Sequence, residues 1–367
     1  MLKWFSLPIV NISCIVADGT PVMVDKREEL LKVIENDTIA TQNSHLMKYH
    51  CIVHQENLCT QALKMDNVMQ IIIKTVHFIR AKGLNHPQFQ EFLKSIDADY
   101  GDIIYFLEVR WLSWGQTLKR FNDLWHVIKS FMESKNKFVL ELDDKNWLTD
   151  LAFLVNLTAH LNELNMFLQG ENQLINTMFQ TITAFQMKLK LHQAQNKANN
   201  FMHFDTLDKH SPMNSKKYAA LLFDLIQEFE NIFQDIWGNN QYFATFVTLF
   251  SVDINMLPAN FQMEWIELQS NIKVKEKFEY ISLLDLYRSY LSRDKYPLLY
   301  NHALFMSSLF GSTYICEQLF VRMKHINSKI RTKISDEHLE NSLRIAATFI
   351  KPDIDALVSQ IQCQTPH

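Results

Sequence analysis

Glycine and proline are scarce in this chain of 367 residues, which has 7 Gly and 8 Pro against 26 Phe and 15 Met. An all-β protein needs many turns, and turns depend on Gly and Pro, so these counts argue against that fold class. They favour long helices joined by short connections. Hydrophobic residues make up 47% of the chain, which is enough for a substantial core. The sequence therefore predicts a mostly helical globular protein.

Positive charge is not in excess either, because the formal net charge is −4. Binding to a nucleic-acid backbone is driven by cations that displace counterions, and a dedicated DNA-binding domain is usually basic. Any contact with DNA is therefore expected to be weak and local.

The chain also has few cysteines and no long apolar run. Its five cysteines, Cys14, Cys51, Cys59, Cys316 and Cys363, form no paired framework, and no signal peptide is recognisable. We therefore expect reduced thiols in an intracellular protein, nuclear or cytoplasmic. No apolar stretch approaches the length of a membrane span, so no membrane partner is expected.

The segment from Asn11 to Ala17 is apolar and rich in β-branched residues, which predicts a strand buried on both faces. A turn at Asp18 and a helix over residues 26–36 are expected to follow. A carboxylate at the C-terminal edge of a buried strand lies where open α/β sheets place their ligands. The alternative is that Asp18 only begins a turn with Gly19, and the local pattern by itself favours this alternative.

A second strand-like run covers Tyr49 to His54 and leads into a predicted helix from Gln55 to Lys82. It contains a Cys-x-x-His pair, Cys51 and His54. A zinc site needs two further ligands at comparable spacing, and positions three apart on a strand face opposite sides. The pattern therefore favours a core cysteine with a packed or capping histidine over a metal site.

Asp102 to Val109 is a third candidate strand, and it runs into Arg110 and Trp111. At the exit of a strand, Trp111 would be able to stack on an unpaired base while Arg110 binds a phosphate. The alternative is that Trp111 is a core residue whose indole nitrogen donates to a carbonyl.

From Gly115 to about Pro297 apolar residues recur at helical spacing, which predicts an all-helical region of about six helices. The breaks between them are expected at 143–144, Gly170, 196–212, 238–240 and Pro258. The stretch from Asn196 to Pro212 has a low apolar content and is predicted to be a mobile loop.

Near the C-terminus, Ser312 to Arg331 combines a carboxylate, an apolar helical stripe and a cluster of cations. The stripe consists of Cys316, Leu319, Phe320, Met323, Ile326 and Ile330, and Glu317 lies away from its centre. The cations are Arg322, Lys324, His325, Lys329, Arg331 and Lys333. Such a helix is expected to bury its apolar side and to leave the cations for solvent or an anion.

A further amphipathic helix is predicted from Asp336 to Ile350, with Ser335 as its N-cap. Its apolar stripe comprises Leu339, Leu343, Ile345, Ala346 and Phe349. This stripe belongs either to the core of the protein or to a dimer surface, and the sequence leaves both alternatives open.

Four blocks in order along the chain resemble those of the hAT superfamily of DNA transposases. They are Asp18-Gly19, Cys51-x-x-His54, Arg110-Trp111, and Ser312-Thr313-x-x-x-Glu317-x-x-Phe320 with its basic tail. The chain is most similar to the domesticated, transposon-derived members associated with BED fingers and with general-transcription-factor repeats. The resemblance implies an RNase H-like fold interrupted by a large helical insertion, and a C-terminal block that forms a dimer contact.

The resemblance also implies site residues. Asp18 and Glu317 correspond to the second and last carboxylates of a DDE metal site, which binds magnesium in an active enzyme. Cys51 and His54 correspond to a marker pair near the site, and Arg110 and Trp111 to a block near the DNA end. Residues 1–17 contain no Asp or Glu at all, so the first carboxylate is missing. Asp18 and Glu317 are therefore expected to be vestigial, without a bound metal, in an N-terminally truncated and inactive relative.

These expectations give a mostly α protein with a small α/β part, an incomplete RNase H-like fold. Residues 1–114 and 297–367 are predicted to form its two parts around a helical insertion at 115–296. The favoured function is protein association or dimerisation through the C-terminal block, in a nuclear or transcription-related role without enzymatic activity. The alternatives are a metal-dependent DDE transposase or nuclease, and a helical scaffold with no DNA role. Residues that would contact DNA are Arg110, Trp111, Arg322, Lys324, Lys329 and Arg331.

Overall fold

The computed structural model describes residues 12–17, 46–81, 83–96, 100–104, 111–170, 173–238, 240–326, 334–348 and 353–360. Within these ranges the chain is mostly helical and has one small parallel sheet. The predicted helical class with a minor strand-containing part is therefore confirmed. The helix expected at 26–36 lies outside the described residues.

The sheet consists of two strands, β1 (Cys14–Ala17) and β2 (Met47–His50), which pair in parallel. Cys14 lies opposite Met47 and Ala17 lies opposite His50. The ladder continues past β2, because the amide of Cys51 donates to the carbonyl of Ala17 at 2.8 Å. The first strand was correctly placed, but its residues are half-buried and not buried on both faces as expected. The second lies earlier than expected, and the chain is helical from Ile52 onward.

The helices that follow in the first half are α1 (Ile52–Cys59), α2 (Asp66–Ala81), α3 (Asn85–Ser95), α4 (Trp111–Ser134), α5 (Lys145–Leu168) and α6 (Ile175–Lys197). The next group comprises α7 (Asp205–Lys209), α8 (Ser215–Ile232), α9 (Gln234–Gly238), α10 (Asn240–Val247), α11 (Ala259–Gln269), α12 (Ile272–Phe278), α13 (Leu283–Tyr290) and α14 (Pro297–Ser307). Near the C-terminus lie α15 (Tyr314–Ile326), α16 (Asp336–Ala347) and α17 (Ile354–Gln360). Short 3-10 helices cover Thr60–Ala62, Leu140–Asp143 and Ile254–Met256.

The single helix predicted from Gln55 to Lys82 is two helices, α1 and α2, with a tight turn between them. The hydroxyl of Thr60 donates back to the carbonyl of Asn57 at 2.6 Å. The amide of Leu63 then donates to the carbonyl of Thr60 at 3.1 Å. This turn directs the buried side chains of Leu63 and Met65 into the core. Apolar spacing continues through it, which is why the break was not visible in the sequence.

The strand predicted from Asp102 to Val109 is wrong for its described part, because residues 102–104 are irregular. The carboxylate of Asp102 accepts hydrogen bonds from Arg80 at 3.2 Å and from His86 at 2.9 Å. Arg80 also donates to the carbonyl of Ile103 at 2.6 Å. Side chains of α2 and α3 thus satisfy polar groups that a neighbouring strand would otherwise have to pair. The remainder of that prediction, residues 105–109, lies outside the described residues.

The all-helical region from 115 to 297 is confirmed, and its helices are more numerous than the six expected. At the first of the predicted breaks, a side chain caps the helix that follows. Asp144 accepts from the amide of Asn146 at 2.8 Å at the start of α5. Helix α5 is buried on most of its circumference and is the central helix of this region, with α4, α6 and α7 packed around it.

The stretch from Asn196 to Pro212, predicted to be a mobile loop, is packed against α5. The ring of Phe204 stacks on that of Phe153 with 5.5 Å between centroids. The amide of Leu207 donates to the side-chain oxygen of Asn156 at 3.0 Å. A few buried apolar side chains within a polar segment are enough to fix it, and the average composition obscured them.

The chain divides into two compact units, Met1–Ser312 and Thr313–His367. The first contains the sheet and α1 to α14, and the second contains α15 to α17. The sequence-based division at 114/115 and 296/297 stays a prediction. Among the described helices, none combines the length and the apolarity that crossing a bilayer requires.

Candidate functional site

Cys51 and His54 lie at the junction between β2 and α1. Cys51 is the N-cap residue of α1 and is fully buried, while His54 is half-buried in the first turn. The thiol of Cys51 and a ring nitrogen of His54 lie within 4.8 Å of each other. Residues three apart at a helix start share one side. The expectation that the pair faces opposite sides of a strand was therefore wrong, and the two side chains are neighbours.

The same helix buries a carboxylate that the sequence reasoning missed. Glu56 is 1% exposed, and its side-chain oxygen accepts a 2.6 Å hydrogen bond from the amide of Asn165 on α5. Burial raises the pKa of Glu56 to about 8, although the hydrogen bond from Asn165 opposes the shift. Glu56 is therefore mostly a neutral acid at pH 7.

A signal for Glu56 was present in the sequence. The buried face of α1 consists of Ile52, Gln55, Glu56 and Cys59, spaced as one helical stripe. Two polar residues in such a stripe have to find partners. Gln55 donates to the carbonyl of Ile232 at 3.0 Å, and the amide of Gln169 donates to Asn165, which fixes the orientation of the Asn165 amide toward Glu56.

The segment before the C-terminal unit returns to this junction. The amide of Ile52 donates to the carbonyl of Gly311 at 2.9 Å, and the thiol of Cys14 donates to the carbonyl of Phe310 at 3.8 Å. Burial raises the pKa of the Cys14 thiol to about 11, so the group is protonated and able to donate. A Cβ atom at Gly311 would lie 2.5 Å from the sulfur of Met178. Only glycine allows this close approach without displacement of a neighbour.

The predicted DNA-contacting residues near the start of α4 are only partly described. Trp111 is the first residue of that helix, and Arg110 lies outside the described residues, as do Asp18, Lys329 and Arg331. Trp111 thus begins a helix instead of ending a strand. A role for these side chains in DNA binding stays a prediction.

In the C-terminal unit, Glu317 lies in the first turn of α15. Its amide donates to the carbonyl of Thr313 at 2.9 Å, and the hydroxyl of Thr313 donates to its carboxylate at 3.3 Å. A carboxylate at this position is favourable because it faces the positive end of the helix dipole. Glu317 therefore has a local structural role whatever its ancestry.

One of the predicted cations is engaged within the unit. The guanidinium of Arg322 donates to the carbonyl of Ala346 at 2.5 Å, near the end of α16, whereas Lys324 is exposed in the last turn of α15. The last carbonyls of a helix lack partners within the helix, so Arg322 satisfies one of them. Arg322 thus links α15 to α16.

Several apolar side chains of this unit are exposed. Cys316, Leu319 and Phe320 of the stripe that was expected to be buried are exposed, whereas Met323 and Ile326 of the same stripe are half-buried. The exposed fractions are 60% for Ile315, 40% for Leu319, 56% for Phe320, 41% for Val321 and 70% for Ile345. Among the described residues of the unit, none is buried. Helices α15 and α16 pack on each other, but they leave a hydrophobic surface open.

The helices around Glu56 correspond to a known domain. Residues 50–197 match the FAM200/GTF2IRD2 helical domain. This domain begins at the end of β2, includes Cys51, His54 and Glu56, and ends with the last residue of α6. The C-terminal unit lies outside the match.

Two relatives extend the similarity along the chain. General transcription factor II-I repeat domain-containing protein 2 of Bos taurus is 35% identical over 348 residues, which are 94% of this chain and 36% of that protein. The protein of the same name from Mus musculus is 35% identical over 326 residues, which are 88% of this chain and 35% of that protein. The chain is homologous to both, and it spans little more than a third of their length. The expected relationship to general-transcription-factor-repeat proteins is confirmed.

Proposed function

We propose that this protein is a transposon-derived, catalytically inactive relative of the hAT transposases that acts by self-association through its C-terminal unit. The partner in this proposal is a second copy of the chain. Names of the two relatives refer to a general transcription factor, which supports a nuclear, transcription-related setting. The proposal extends to ancestry from an RNase H-like fold, which is supported by the small parallel sheet followed directly by a helix.

The exposed apolar surface of α15 and α16 carries the proposal. We use the name apolar hairpin face for the exposed apolar side chains of α15 and α16, which are Ile315, Leu319, Phe320, Val321 and Ile345. Exposed apolar side chains grouped on one pair of helices are typical of interaction surfaces. The resemblance of this block to a transposase dimer contact points to the same partner, another copy of the block. Burial of an aromatic residue such as Phe320 at the centre of a contact commonly supplies much of the binding energy.

Sedimentation equilibrium of the full chain tests the association. We expect a reversible dimer, and we expect Phe320→Ser to raise its dissociation constant by about tenfold or more. Phe138→Ser is the matched control, because Phe138 is 70% exposed in the other unit and lies outside the apolar hairpin face. A chain that is monomeric over the whole concentration range, or equal weakening by both variants, would contradict self-association.

A separate assay tests catalytic inactivity. Purified chain is incubated with Mg²⁺ and supercoiled DNA, beside a Glu317→Gln variant, and nicked product is quantified. We expect no cleavage above the level of the variant. Cleavage that disappears with Glu317→Gln would instead support the transposase or nuclease alternative.

A further inference from the structure

A cavity in the first unit is formed by residues distant in the chain from Cys51, His54 and Glu56. It has a volume of about 330 Å³ and is lined by Thr245, Met256, Leu257, Pro258, Phe261, Trp265 and His302. These residues come from α10, α11, α14 and the connection before α11. The size falls within the range of small-molecule sites, which are mostly apolar with a few polar groups that orient the ligand.

Two polar atoms among the lining residues are buried and have no hydrogen-bond partner within the described part of the chain. They are the indole nitrogen of Trp265 and the Nε2 atom of His302. Trp265 is 0% exposed, so its N–H group has lost its water partner. Buried polar groups in native proteins nearly always have partners, so these two atoms beside one cavity are suited to pair with polar atoms of a ligand.

The cavity favours an aromatic, uncharged occupant. Phe261 and Trp265 lie edge to face with 5.8 Å between ring centroids, and His302 lies 5.8 Å from Phe261. Burial lowers the pKa of His302 to about 4, so its imidazole is neutral at pH 7, and none of the lining residues in the described part of the chain is charged. An ion would lose its hydration here without gaining a counter-charge.

We propose that this cavity is a binding site for a small, uncharged aromatic molecule with a carbonyl oxygen. The oxygen accepts the hydrogen bond of the Trp265 indole N–H, and the ring packs against Phe261. The Nε2 atom of His302 pairs with a second polar atom of the ligand, as a donor or an acceptor according to its tautomer. This inference does not depend on the proposed self-association, because the cavity and the apolar hairpin face belong to different units.

Benzamide is a suitable probe because it is neutral and carries both a carbonyl oxygen and an amide donor. Full-length protein with ¹⁵N-labelled tryptophan is titrated with benzamide and followed by the indole N–H signals, with Trp265 assigned from the Trp265→Phe spectrum. We expect a saturable shift of the Trp265 signal. Toluene, which lacks the carbonyl, and benzoate, which is charged, are expected to bind at least about tenfold more weakly.

Two substitutions test the polar contacts. His302→Leu and Trp265→Phe are each expected to weaken benzamide binding by about tenfold, measured by ligand-observed NMR. Trp147→Phe is the matched control, since Trp147 is 5% exposed, has an unpartnered indole nitrogen, and does not line the cavity. Circular dichroism establishes that each variant is folded.

Three results would overturn the proposed binding site. No shift of the Trp265 signal up to the solubility limit of benzamide would overturn the proposal. The proposal would also be overturned if toluene and benzoate bound as tightly as benzamide, because the contact would then be non-specific. The same holds if Trp147→Phe weakened benzamide binding as much as Trp265→Phe and His302→Leu do.

Discussion

The amide of Ile52, the first residue of α1, donates a hydrogen bond of 2.9 Å to the carbonyl of Gly311. This bond joins the beginning of the FAM200/GTF2IRD2 helical domain to the last residues of the first unit. A Cβ atom at Gly311 would meet the side chains of Met178 and Ile52. Replacement of that glycine is therefore informative about the whole junction.

Gly311→Ala is predicted to lower the free energy of unfolding by roughly 1–3 kcal/mol. The added Cβ would lie 2.5 Å from the sulfur of Met178 and 3.0 Å from Cδ1 of Ile52, and both side chains are buried. Gly83→Ala is the control, because nothing lies within 4 Å of a Cβ at that position. The free energies of unfolding of both variants are measured by urea denaturation. Equal midpoints for the two variants would contradict the prediction.

Glu56→Gln is predicted to stabilise the protein at pH 8 by about 1–3 kcal/mol and to have little effect at pH 5. The folded pKa is raised from 4.5 to about 8. Between these values the unfolded chain has released the proton that the folded chain keeps, so the stability of the wild type falls as pH rises through this window. The glutamine carbonyl still accepts from Asn165.

Thermal unfolding at a series of pH values checks this prediction. The exposed Glu163, on the same helix as Asn165, supplies the control Glu163→Gln. We expect the difference between wild type and Glu56→Gln to widen steadily from pH 5 to pH 8. If the melting temperatures of all three proteins changed with pH in parallel, the pKa of Glu56 would not be raised in the folded protein.

The ion pair between Asp150 and Lys217 is predicted to respond unequally to loss of its two members. Asp150 is 7% exposed and accepts from Lys217 at 2.6 Å and from the hydroxyl of Tyr218 at 2.9 Å, whereas the Lys217 side chain is 45% exposed. Lys217→Met leaves a buried carboxylate without its counter-ion and is expected to cost about 3–5 kcal/mol. Asp150→Asn leaves an amine that water can solvate and is expected to cost about 1–3 kcal/mol.

A surface pair provides the comparison for that prediction. Lys190 and Glu230 are 2.9 Å apart with side chains 53% and 40% exposed. Lys190→Met is therefore expected to cost at most about 1 kcal/mol. If Asp150→Asn proved more destabilising than Lys217→Met in chemical denaturation, the asymmetry argument would be wrong.

Arg322→Ala is predicted to destabilise the end of α16 by about 1 kcal/mol, because the carbonyl of Ala346 loses its charged donor. Lys324→Ala is expected to leave that helix unchanged. Hydrogen exchange of the α16 amides measures the difference. If both substitutions weakened DNA binding and neither changed exchange, Arg322 would belong to a DNA contact instead of a helix cap.

The sequence predicted those features of the fold that depend on local periodicity and on capping. Strand β1, the helical region after Gly115, the break at 143–144 and the cap at Ser335 were all accessible in this way. The turn after Cys59 was not, because apolar spacing runs through it. The irregular segment at Asp102 was also not predictable from local sequence. Its hydrogen bonds come from Arg80 and His86, and no local pattern connects these residues to Asp102.

In the candidate site, too, local features were predictable from the sequence and tertiary contacts were not. Cys51 and His54 were found from their spacing. Their side chains are neighbours because the helix starts at Ile52, and this start was not predicted. Glu56 was visible as a polar residue in an apolar stripe. Its partner Asn165 lies on another helix, so the raised pKa required the tertiary structure.

The parallel pairing of β1 and β2 has a consequence for the order of folding. The two strands are separated along the chain by a long connection, and closing such a loop costs entropy before any pairing is gained. The contacts between α2 and α3 join helices that a short connection separates, so they are expected to form sooner. We therefore expect this helix pair to form before β1 docks on β2, and the amide of Cys51 to pair with the carbonyl of Ala17 only at that later step.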